Sequence, residues 1–457
     1  MLLYETELVT DLSDLHGKSP MNEIGHYGAV STCPSEQITF RRRGQPLPLA
    51  ACRIPLSLKE MLTAFYILVL QQIVQGLVSL WDGWKWLTMV RHRLTTHQGF
   101  YAPRAAVICP CKGSETGLEG NLAALLNFDY PDYEVYFALA SALDPARTVI
   151  DRAMAASKRT AHVVVAGSPK DRGEKVNNLR AAVHEVAEKC DVFVFVDSDA
   201  RPSRGWLSHM VAPLANPRLG AATTYRWYFP NRGGFASAML SAWNAAIATQ
   251  FGDHNHNFCW GGGTAMRREV FQSAEVLEAW EGAVSDDWAL TAALERAGLA
   301  VQFVPECLAP TVGDVNPEQL IEFTNRQMIL TRVYSPRRWI FAALAHLSYC
   351  VTILYSIYAI FNRMFAGYSW TGMFLLAILI VLLAAGKGAI RGVAVQEVLR
   401  EWRTKCDQWS WAWIALAPLV PFLFLWNFII SAFERQIRWR GIRYELVSET
   451  QTRILSH

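Results

Sequence analysis

Four apolar blocks constrain the fold of this chain more than any other feature of its sequence. The first covers residues 61–81, and the other three cover residues 340–361, 370–386 and 411–433 near the other end. Each is close to the length of about 20 apolar residues with which an α-helix crosses a bilayer. We therefore expect a multi-pass integral membrane protein, with a water-exposed domain between the first two blocks.

Basic residues beside the apolar blocks predict the orientation. Arg91 and Arg93 follow the first block. Because Lys and Arg concentrate on the cytoplasmic side of membranes, we expect the next domain in the cytoplasm. Three complete crossings after that domain would place the basic tail, residues 435–457, on the opposite side. We therefore predict that one later block is interfacial or re-entrant, and Pro418 and Pro421 make the last block the candidate.

The stretch between the first two blocks has the pattern of an α/β domain. Short β-rich runs alternate with helical patterns, which predicts a mostly parallel sheet with ligands at the carboxyl ends of its strands. The net charge of +3 and the lack of a Lys- and Arg-rich run argue against a nucleic-acid partner. The expected segments are a polar tail at 1–57, a transmembrane helix with its basic flank at 58–93, the α/β domain at 100–335, transmembrane or interfacial helices at 338–434 and a basic tail at 435–457.

An Asp-x-Asp motif carries the strongest chemical signal. Asp197 and Asp199 follow an apolar run that ends at Val196, which places both carboxylates at the carboxyl end of a predicted strand. Mg²⁺ and Mn²⁺ prefer such oxygen ligands and can join them to a diphosphate, whose developing charge they neutralise. The alternative is a solvated turn at the end of a strand.

A second acidic pair, Asp286 and Asp287, precedes a predicted helix. A sugar transferase that inverts the anomeric carbon needs one base to remove the proton of the acceptor hydroxyl. Adjacent side chains point in different directions, so only one of the two can be that base, and the other is expected to cap the helix. Capping by both is the alternative. The glycine run that includes Gly262 precedes this pair and is expected to line the substrate site or to act as a hinge.

Two further polar segments are candidates for ligand binding. Lys175 and Asn178 begin a predicted helix, where they could bind phosphate or a nucleotide edge, or simply start a surface helix. His254 and His256 precede the glycine run. We rank them as a polar pocket lining first, a surface loop second and a separate metal site third.

Motifs that occur in a fixed order over residues 58–446 carry a resemblance to a known family. They are Lys112 and Gly113, Asp129 and Pro131, Asp144 and Pro145, Lys175 with Asn177 and Asn178, Asp197, Asp287, Arg326 and Gln327, and Trp439 and Arg440. This ordered set resembles the ceramide glucosyltransferases, within the large inverting glycosyltransferase family 2 of GT-A fold. The resemblance implies a GT-A domain between N- and C-terminal transmembrane helices.

The resemblance also implies a role for the matching residues. Asp197 and Asp199 would hold the metal and the diphosphate, and Asp287 would be the general base. The implied donor-binding residues are Lys112, Ser141, Asp144, Lys175, Asn178 and Asp197, and the implied pocket residues are Asp286, His254, His256, Gly262, Arg326 and Gln327.

Two positions depart from the family pattern. Ser141 stands near the place of an aspartate that contacts uracil in the family. Ile329 and Leu330 replace the Arg-Trp pair that ends the pocket element beginning at Arg326, and Arg332 could supply the missing charge. Both departures suggest a divergent branch with a different donor or acceptor.

The resulting functional hypothesis is a metal-dependent transferase that uses Mn²⁺ or Mg²⁺. It would move glucose from UDP-glucose, as the default nucleotide-sugar donor, to a membrane lipid such as ceramide. Hopanoid-like lipids and diacylglycerol are alternative acceptors. A processive polysaccharide synthase is a rival, although it needs more spans and the intact Arg-Trp pair. A non-catalytic membrane scaffold of the same fold is a second rival.

Overall fold

The computed structural model describes residues 58–96, 99–114 and 117–456. The predicted polar tail at 1–57 lies outside the described residues. The strands are β1 (Ala105–Pro110), β2 (Tyr133–Leu139), β3 (Ala161–Val165), β4 (Val192–Val196), β5 (Leu219–Thr223), β6 (Arg226–Phe229), β7 (Gly263–Arg267), β8 (Ala300–Phe303), β9 (Ala309–Val312), β10 (Gln436–Trp439), β11 (Ile442–Ser448) and β12 (Gln451–Ser456).

The helices form two groups, one in the α/β domain and one of long apolar helices that flanks it. They are α1 (Leu58–Thr95), α2 (Leu118–Leu125), α3 (Ala146–Ala155), α4 (Glu174–Val186), α5 (Trp206–Val211), α6 (Phe235–Ala248), α7 (Arg268–Ser273), α8 (Val276–Ala279), α9 (Asp286–Arg296), α10 (Pro317–Tyr334), α11 (Pro336–Phe365), α12 (Thr371–Val398), α13 (Arg403–Ala415) and α14 (Val420–Phe433).

A seven-stranded sheet of order β3-β2-β1-β4-β7-β5-β8 forms the centre of the domain. Its pairs are parallel except those made by β7, which runs antiparallel to both β4 and β5. All five residues of β4 are buried, because helices cover both faces of a parallel sheet. The predicted α/β fold with a mostly parallel sheet is confirmed.

The sheet order brings four loops to one edge. The loops after β1, β2 and β4 meet there because these neighbouring strands are parallel. Strand β7 begins at the same edge, since Gly263 pairs with Val196 at the end of β4. The Asp-x-Asp motif and the glycine run are therefore adjacent in space.

Three helices, α1, α11 and α12, are long and apolar enough to cross a membrane. Helices α1 and α12 pack closely along Gly76, where an added Cβ would lie 2.8 Å from Leu383. An ion pair of 2.7 Å between Arg91 and Glu397 joins their C-terminal ends, so the two helices run in the same direction.

The last apolar block is broken. The segments at 400–415 and 420–433 are bent by 72° relative to each other. The break includes Pro418, as the sequence analysis anticipated. Both halves pack on the domain: Trp413 Nε1 in α13 donates to Ser241 Oγ in α6 at 2.9 Å, and Asn427 Nδ2 in α14 donates to Thr324 Oγ1 in α10 at 2.9 Å.

The basic C-terminal tail folds as a three-stranded antiparallel sheet, β10-β11-β12. This sheet packs against the α/β domain. The hydroxyl of Tyr444 accepts a hydrogen bond from Glu174 N at 3.2 Å, and Thr452 Oγ1 donates to Gly282 O at 2.7 Å. The tail thus lies on the same side of the apolar helices as the domain.

Candidate active site

The Asp-x-Asp motif follows β4 and faces two cations. Asp197 Oδ1 lies 2.7 Å from Lys175 Nζ, and Asp199 Oδ2 lies 3.4 Å from Arg226 Nη1. The other oxygen of Asp199, Oδ1, is buried and has no hydrogen-bond partner among the described atoms. A buried carboxylate oxygen needs a ligand, because an unpaired one is costly.

The two carboxylates fit a metal that is shared with a phosphate ligand. The described residues contain no cluster of three or more Asp, Glu, His or Cys side chains that could hold an ion by themselves. Mg²⁺ usually binds one or two carboxylates and takes its remaining ligands from water and substrate phosphates. Asp197 and Asp199 therefore suit Mg²⁺ or Mn²⁺ together with a diphosphate, and do not form an all-protein cage.

The second acidic pair divides into two environments. Ser285 precedes helix α9 as its N-cap, with extended backbone, and both aspartates lie in the first turn. Asp286 is 5% exposed and its Oδ2 lies 3.0 Å from Lys175 Nζ. The carboxylate of Asp286 therefore binds a lysine, and the prediction that it caps the helix is wrong.

Asp287 is partly exposed, and its carboxylate is held in place by three donors. Oδ1 accepts hydrogen bonds from the Ser285 hydroxyl and, at 2.8 Å, from Trp288 N. Oδ2 accepts only a longer bond of 3.3 Å, from Gly261 N, among the described groups. The carboxylate is thus oriented mainly through Oδ1, and Oδ2 is the less constrained of its two oxygens.

Lys175 connects the two acidic pairs. Its ammonium group contacts Asp197, Asp286 and, at 3.2 Å, the carbonyl of Gly261. Burial acts to raise the pKa of Asp197, but Lys175 and Arg226 outweigh it and hold that pKa below its usual value. Burial raises the pKa of Asp286 to about 7, against the opposing effect of Lys175. The alternative of a surface helix start does not fit Lys175, because its side chain is only 15% exposed and contacts both acidic pairs.

The glycine run lies against these groups. A Cβ on Gly261 would lie 2.5 Å from Asp286 Oδ2 and 2.6 Å from Lys175 Nζ. A Cβ on Gly262 would overlap the indole of Trp260. The structure brings the run to the acidic pairs, and the groups that approach its backbone belong to the protein itself.

The predicted donor residues after β1 and β2 tie their loops together. Asp144 Oδ1 accepts hydrogen bonds from Gly113 N at 2.7 Å and from Ala146 N at 2.8 Å. Lys112 Nζ pairs with Glu174 at 2.9 Å, next to Lys175. Ser141 is exposed, and its hydroxyl accepts a bond from Leu143 N at 3.2 Å. The structure therefore brings Lys112, Ser141 and Asp144 to the edge where the carboxylates lie.

Asn178 is more deeply buried than a ligand-binding residue at the start of a surface helix would be. Its side chain is buried within α4, and its Oδ1 has no hydrogen-bond partner among the described atoms. Asn178 thus lies under the site, on the helix that carries Lys175.

His254 and His256 lie on an exposed loop. Arg338 at the start of α11 donates to His256 O at 3.5 Å, and Asp253 pairs with Arg93 at the end of α1 at 3.4 Å. Among the described contacts, none joins either histidine to the carboxylates. This location corresponds to the second-ranked expectation, a surface loop, and the described residues contain no metal cluster there.

Arg226 is a site residue that the sequence analysis missed. It lies in the short strand β6, and besides pairing with Asp199 its guanidinium lies 5.3 Å from the ring of Trp260 and 5.7 Å from that of Phe323. No motif marks it in the sequence, because one arginine in a short strand has no local signature.

The predicted pocket element in α10 contacts the tail. The guanidinium of Arg326 lies 5.3 Å from the ring of Phe323 and 5.3 Å from that of Trp439, and Gln327 beside it is partly exposed. Burial, together with the positive charges of Arg226 and Arg440, lowers the pKa of Arg326 to about 10.

Arg332 does not supply the missing charge. It donates to Ala432 O at 2.8 Å and to Glu434 O at 3.0 Å, and thus binds the C-terminal end of α14. The hypothesis that Arg332 restores the Arg-Trp pair is wrong for this reason.

Comparisons with known proteins identify the family. The sequence model described as glycosyl transferase family 21 matches residues 64–452. Among solved structures, the chain is similar to a mannosyltransferase from Pyrobaculum calidifontis in complex with GDP-Man and Mn²⁺, at 16% identity and a TM-score of 0.46, covering 81% of this chain and 99% of that one. It is also similar to glucosyl-3-phosphoglycerate synthase from Mycobacterium tuberculosis in complex with Mn²⁺, UDP-Glc and phosphoglyceric acid, at 14% identity and a TM-score of 0.36, covering 52% and 86%.

The sequence resemblance pointed to the ceramide glucosyltransferases within family 2, whereas the matching model is that of family 21. The expected glycosyltransferase activity class is confirmed by that match. Because the model spans most of the chain, the protein belongs to glycosyl transferase family 21.

Proposed function

We propose that the protein transfers one sugar, glucose as the first candidate, from a metal-bound UDP-sugar to the hydroxyl of a membrane lipid such as ceramide, with inversion at the anomeric carbon. The observation that carries the proposal is the position of Asp287. Its Oδ1 is fixed by Ser285 and Trp288, its Oδ2 accepts one longer bond of 3.3 Å from Gly261 N, and Lys175 links its neighbour Asp286 to the Asp-x-Asp motif.

The chemistry follows from this arrangement. Asp197 and Asp199 would hold a divalent ion, which would neutralise charge that develops on the departing diphosphate. Asp287 Oδ2 takes the proton of the acceptor hydroxyl, whose oxygen forms a bond to the anomeric carbon from the face opposite the diphosphate. The bond between that carbon and the phosphate oxygen breaks, and the diphosphate leaves with the electron pair. One such displacement inverts the configuration.

Apolar surface on the long helices supports a lipid acceptor. Leu354 in α11 and Leu375 and Leu382 in α12 are each about 60% exposed, at 58%, 61% and 60%. Exposed apolar side chains in such number mark an interaction surface, and on helices of this length a lipid bilayer is the natural partner. A lipid can then reach the domain without leaving the membrane.

The position of the tail supports one topology. Because the tail sheet contacts the domain, the chain between them crosses the membrane an even number of times. Helices α11 and α12 supply two crossings, and the bent pair α13–α14 stays on the side of the domain. The loop between α11 and α12, residues 366–370, carries no charged side chain, whereas the tail and the end of α1 are basic. The positive-inside tendency then places the domain in the cytoplasm.

The test is sugar transfer by the full chain in nanodiscs, with a panel of UDP- and GDP-sugars, a panel that includes ceramide, diacylglycerol and a hopanoid, and Mn²⁺ or Mg²⁺. We expect metal-dependent addition of one sugar, seen by mass spectrometry. Asp287→Asn should lower kcat by about 10²–10⁴, the usual contribution of a general base. Glu295→Gln changes an exposed carboxylate of the same helix, paired with Arg338, and serves as the matched control.

Each contrary outcome has a distinct meaning. Long polymers would support the processive synthase, and activity retained by Asp287→Asn would remove that residue from the role of base. If no donor is used and no nucleotide binds, the scaffold hypothesis is favoured.

A further inference from the structure

The turn of the C-terminal hairpin has an unusual residue. Strands β10 and β11 are joined by only Arg440 and Gly441, next to the pair Trp439 and Ile442. Both turn residues have positive φ, 49° and 87°. Such two-residue turns favour Asn-Gly, because most side chains are strained at positive φ. An arginine at the first position therefore weakens the turn. Its presence there indicates that its side chain has a role outside the turn.

The guanidinium of Arg440 reaches the candidate active site. Its Nη1 donates to Lys112 O, in the loop after β1, at 3.0 Å. Lys112 also pairs with Glu174 at 2.9 Å, and the next residue of helix α4, Lys175, lies 2.7 Å from Asp197. The turn therefore contacts the loop after β1, which lies at the same edge of the sheet as the Asp-x-Asp motif.

Neighbouring residues of the tail hold the turn in this place. Arg326 Nη1 donates to Arg438 O at 3.3 Å, and the guanidinium of Arg326 packs on Trp439. On the other side, the Tyr444 hydroxyl accepts from Glu174 N, and the Glu174 carboxylate pairs with Lys112. The hairpin is thus tied to α10, to the start of α4 and to the loop after β1.

Three arginines from distant parts of the chain meet here. Arg226 comes from β6 and Arg326 from α10, and their guanidinium groups lie 5.7 and 5.3 Å from the same ring, that of Phe323. Arg326 also lies 5.3 Å from the ring of Trp439, the residue before Arg440 in the tail. Guanidinium groups bind phosphate oxygens through pairs of parallel hydrogen bonds. In contrast, Ile329 and Leu330, which occupy the expected Arg-Trp positions, are buried in the core.

We propose that Arg440 binds the diphosphate of the nucleotide sugar together with Arg226 and Arg326, so that the C-terminal hairpin completes the donor site. This inference rests on the proposed function, because it assigns the donor of that reaction to these residues. The ligand class is a nucleoside diphosphate, and the group recognised is the second phosphate.

The test compares UDP with UMP as probes, with Mn²⁺ present, by calorimetry on the full chain in nanodiscs. Arg440→Asn removes the guanidinium but suits the turn. We expect it to bind UDP about tenfold to a hundredfold more weakly, as expected for the loss of a charge-assisted hydrogen bond, and to bind UMP as the wild type does. Its unfolding temperature should be unchanged or higher. GDP and GMP are measured as a second pair.

Arg443→Asn is the matched control, since Arg443 is exposed on the same hairpin and pairs with Gln436 at 3.0 Å. It should bind UDP normally. The inference is overturned if Arg440→Asn binds UDP like the wild type, or if UDP and UMP weaken together with a lower unfolding temperature, which would indicate a structural role. A wild type that binds no nucleoside diphosphate would overturn the proposed function as well, which separates the two failures.

Discussion

Asp197 and Asp199 end a strand, whereas Asp286 and Asp287 begin a helix, and the two pairs differ in what surrounds them. The side chains of the first pair are 21% and 27% exposed and each faces a cation. In the second pair, the side chain of Asp286 is 5% exposed, whereas Asp287 is partly exposed. The first pair can act jointly on one ion, while the second divides into a buried carboxylate bound to Lys175 and a more exposed one. The two pairs consist of the same residue type, and they differ in chemistry because their burial and their hydrogen-bonding partners differ.

The largest effect should come from removing the lysine that joins the pairs. Lys175→Met leaves Asp286 buried without its cation, and we expect the free energy of unfolding in detergent to fall by about 3–5 kcal/mol. The double variant Lys175→Met/Asp286→Asn should recover most of this loss. Lys189→Met, which breaks an exposed pair with Glu185, is the control and should cost less than about 0.5 kcal/mol.

The conclusion that Lys175 mainly compensates the charge of Asp286 would be wrong if Asp197→Asn, rather than Asp286→Asn, restored the stability of Lys175→Met. Lys175 would then belong mainly to the metal-binding pair.

A smaller effect is expected on metal affinity. Asp199→Asn removes the carboxylate whose Oδ1 has no described partner, and Mn²⁺ binding in the presence of UDP should weaken about 100-fold, or about 2.8 kcal/mol. Asp287→Asn should leave the affinity for Mn²⁺ within about twofold of the wild type, on the same energy scale. Electron paramagnetic resonance of bound Mn²⁺ measures both. Equal weakening in the two variants would show that the pairs share one ion.

The smallest predicted effect concerns the contact between the glycine run and the second pair. Gly261→Ala places a Cβ against Asp286 and Lys175, and overpacking of this kind costs about 1–3 kcal/mol of stability. Gly313→Ala adds a methyl group where no described atom lies within 4 Å, and it is the matched control. A Gly261→Ala variant as stable as the control would mean that Lys175 and Asp286 adjust freely.

Local patterns predicted the parts of the site that are contiguous in sequence. The Asp-x-Asp motif, the pair Asp286 and Asp287 and the glycine run each have a recognisable local pattern, and the parallel strand order then brings them together. The antiparallel direction of β7 was not predicted, because a five-residue buried strand has the same pattern in either direction.

The cations of the site were harder to predict. Arg226 reaches Asp199 only because β6 folds against the domain, and nothing near it in sequence distinguishes it from other arginines. Conversely, His254 and His256 resemble a ligand motif, but the side chain of Asn257, with hydrogen bonds of 2.8 and 3.0 Å to the carbonyls of Gly252 and His254, holds them in a surface loop. In both cases, contacts between residues distant in sequence or held by the surrounding loop determine where the side chains lie, and the local pattern does not.

The packing of the tail sheet has a consequence for how the protein is made. Ile437, Tyr444 and Leu446 are buried in the core cluster that contains Leu330 and Tyr334 of the domain. The ribosome produces these residues after every apolar helix has been synthesised. The domain therefore reaches its final packing only after the tail sheet has been made. A chain that stalls before residue 437 lacks the side chains that cover this surface of the domain.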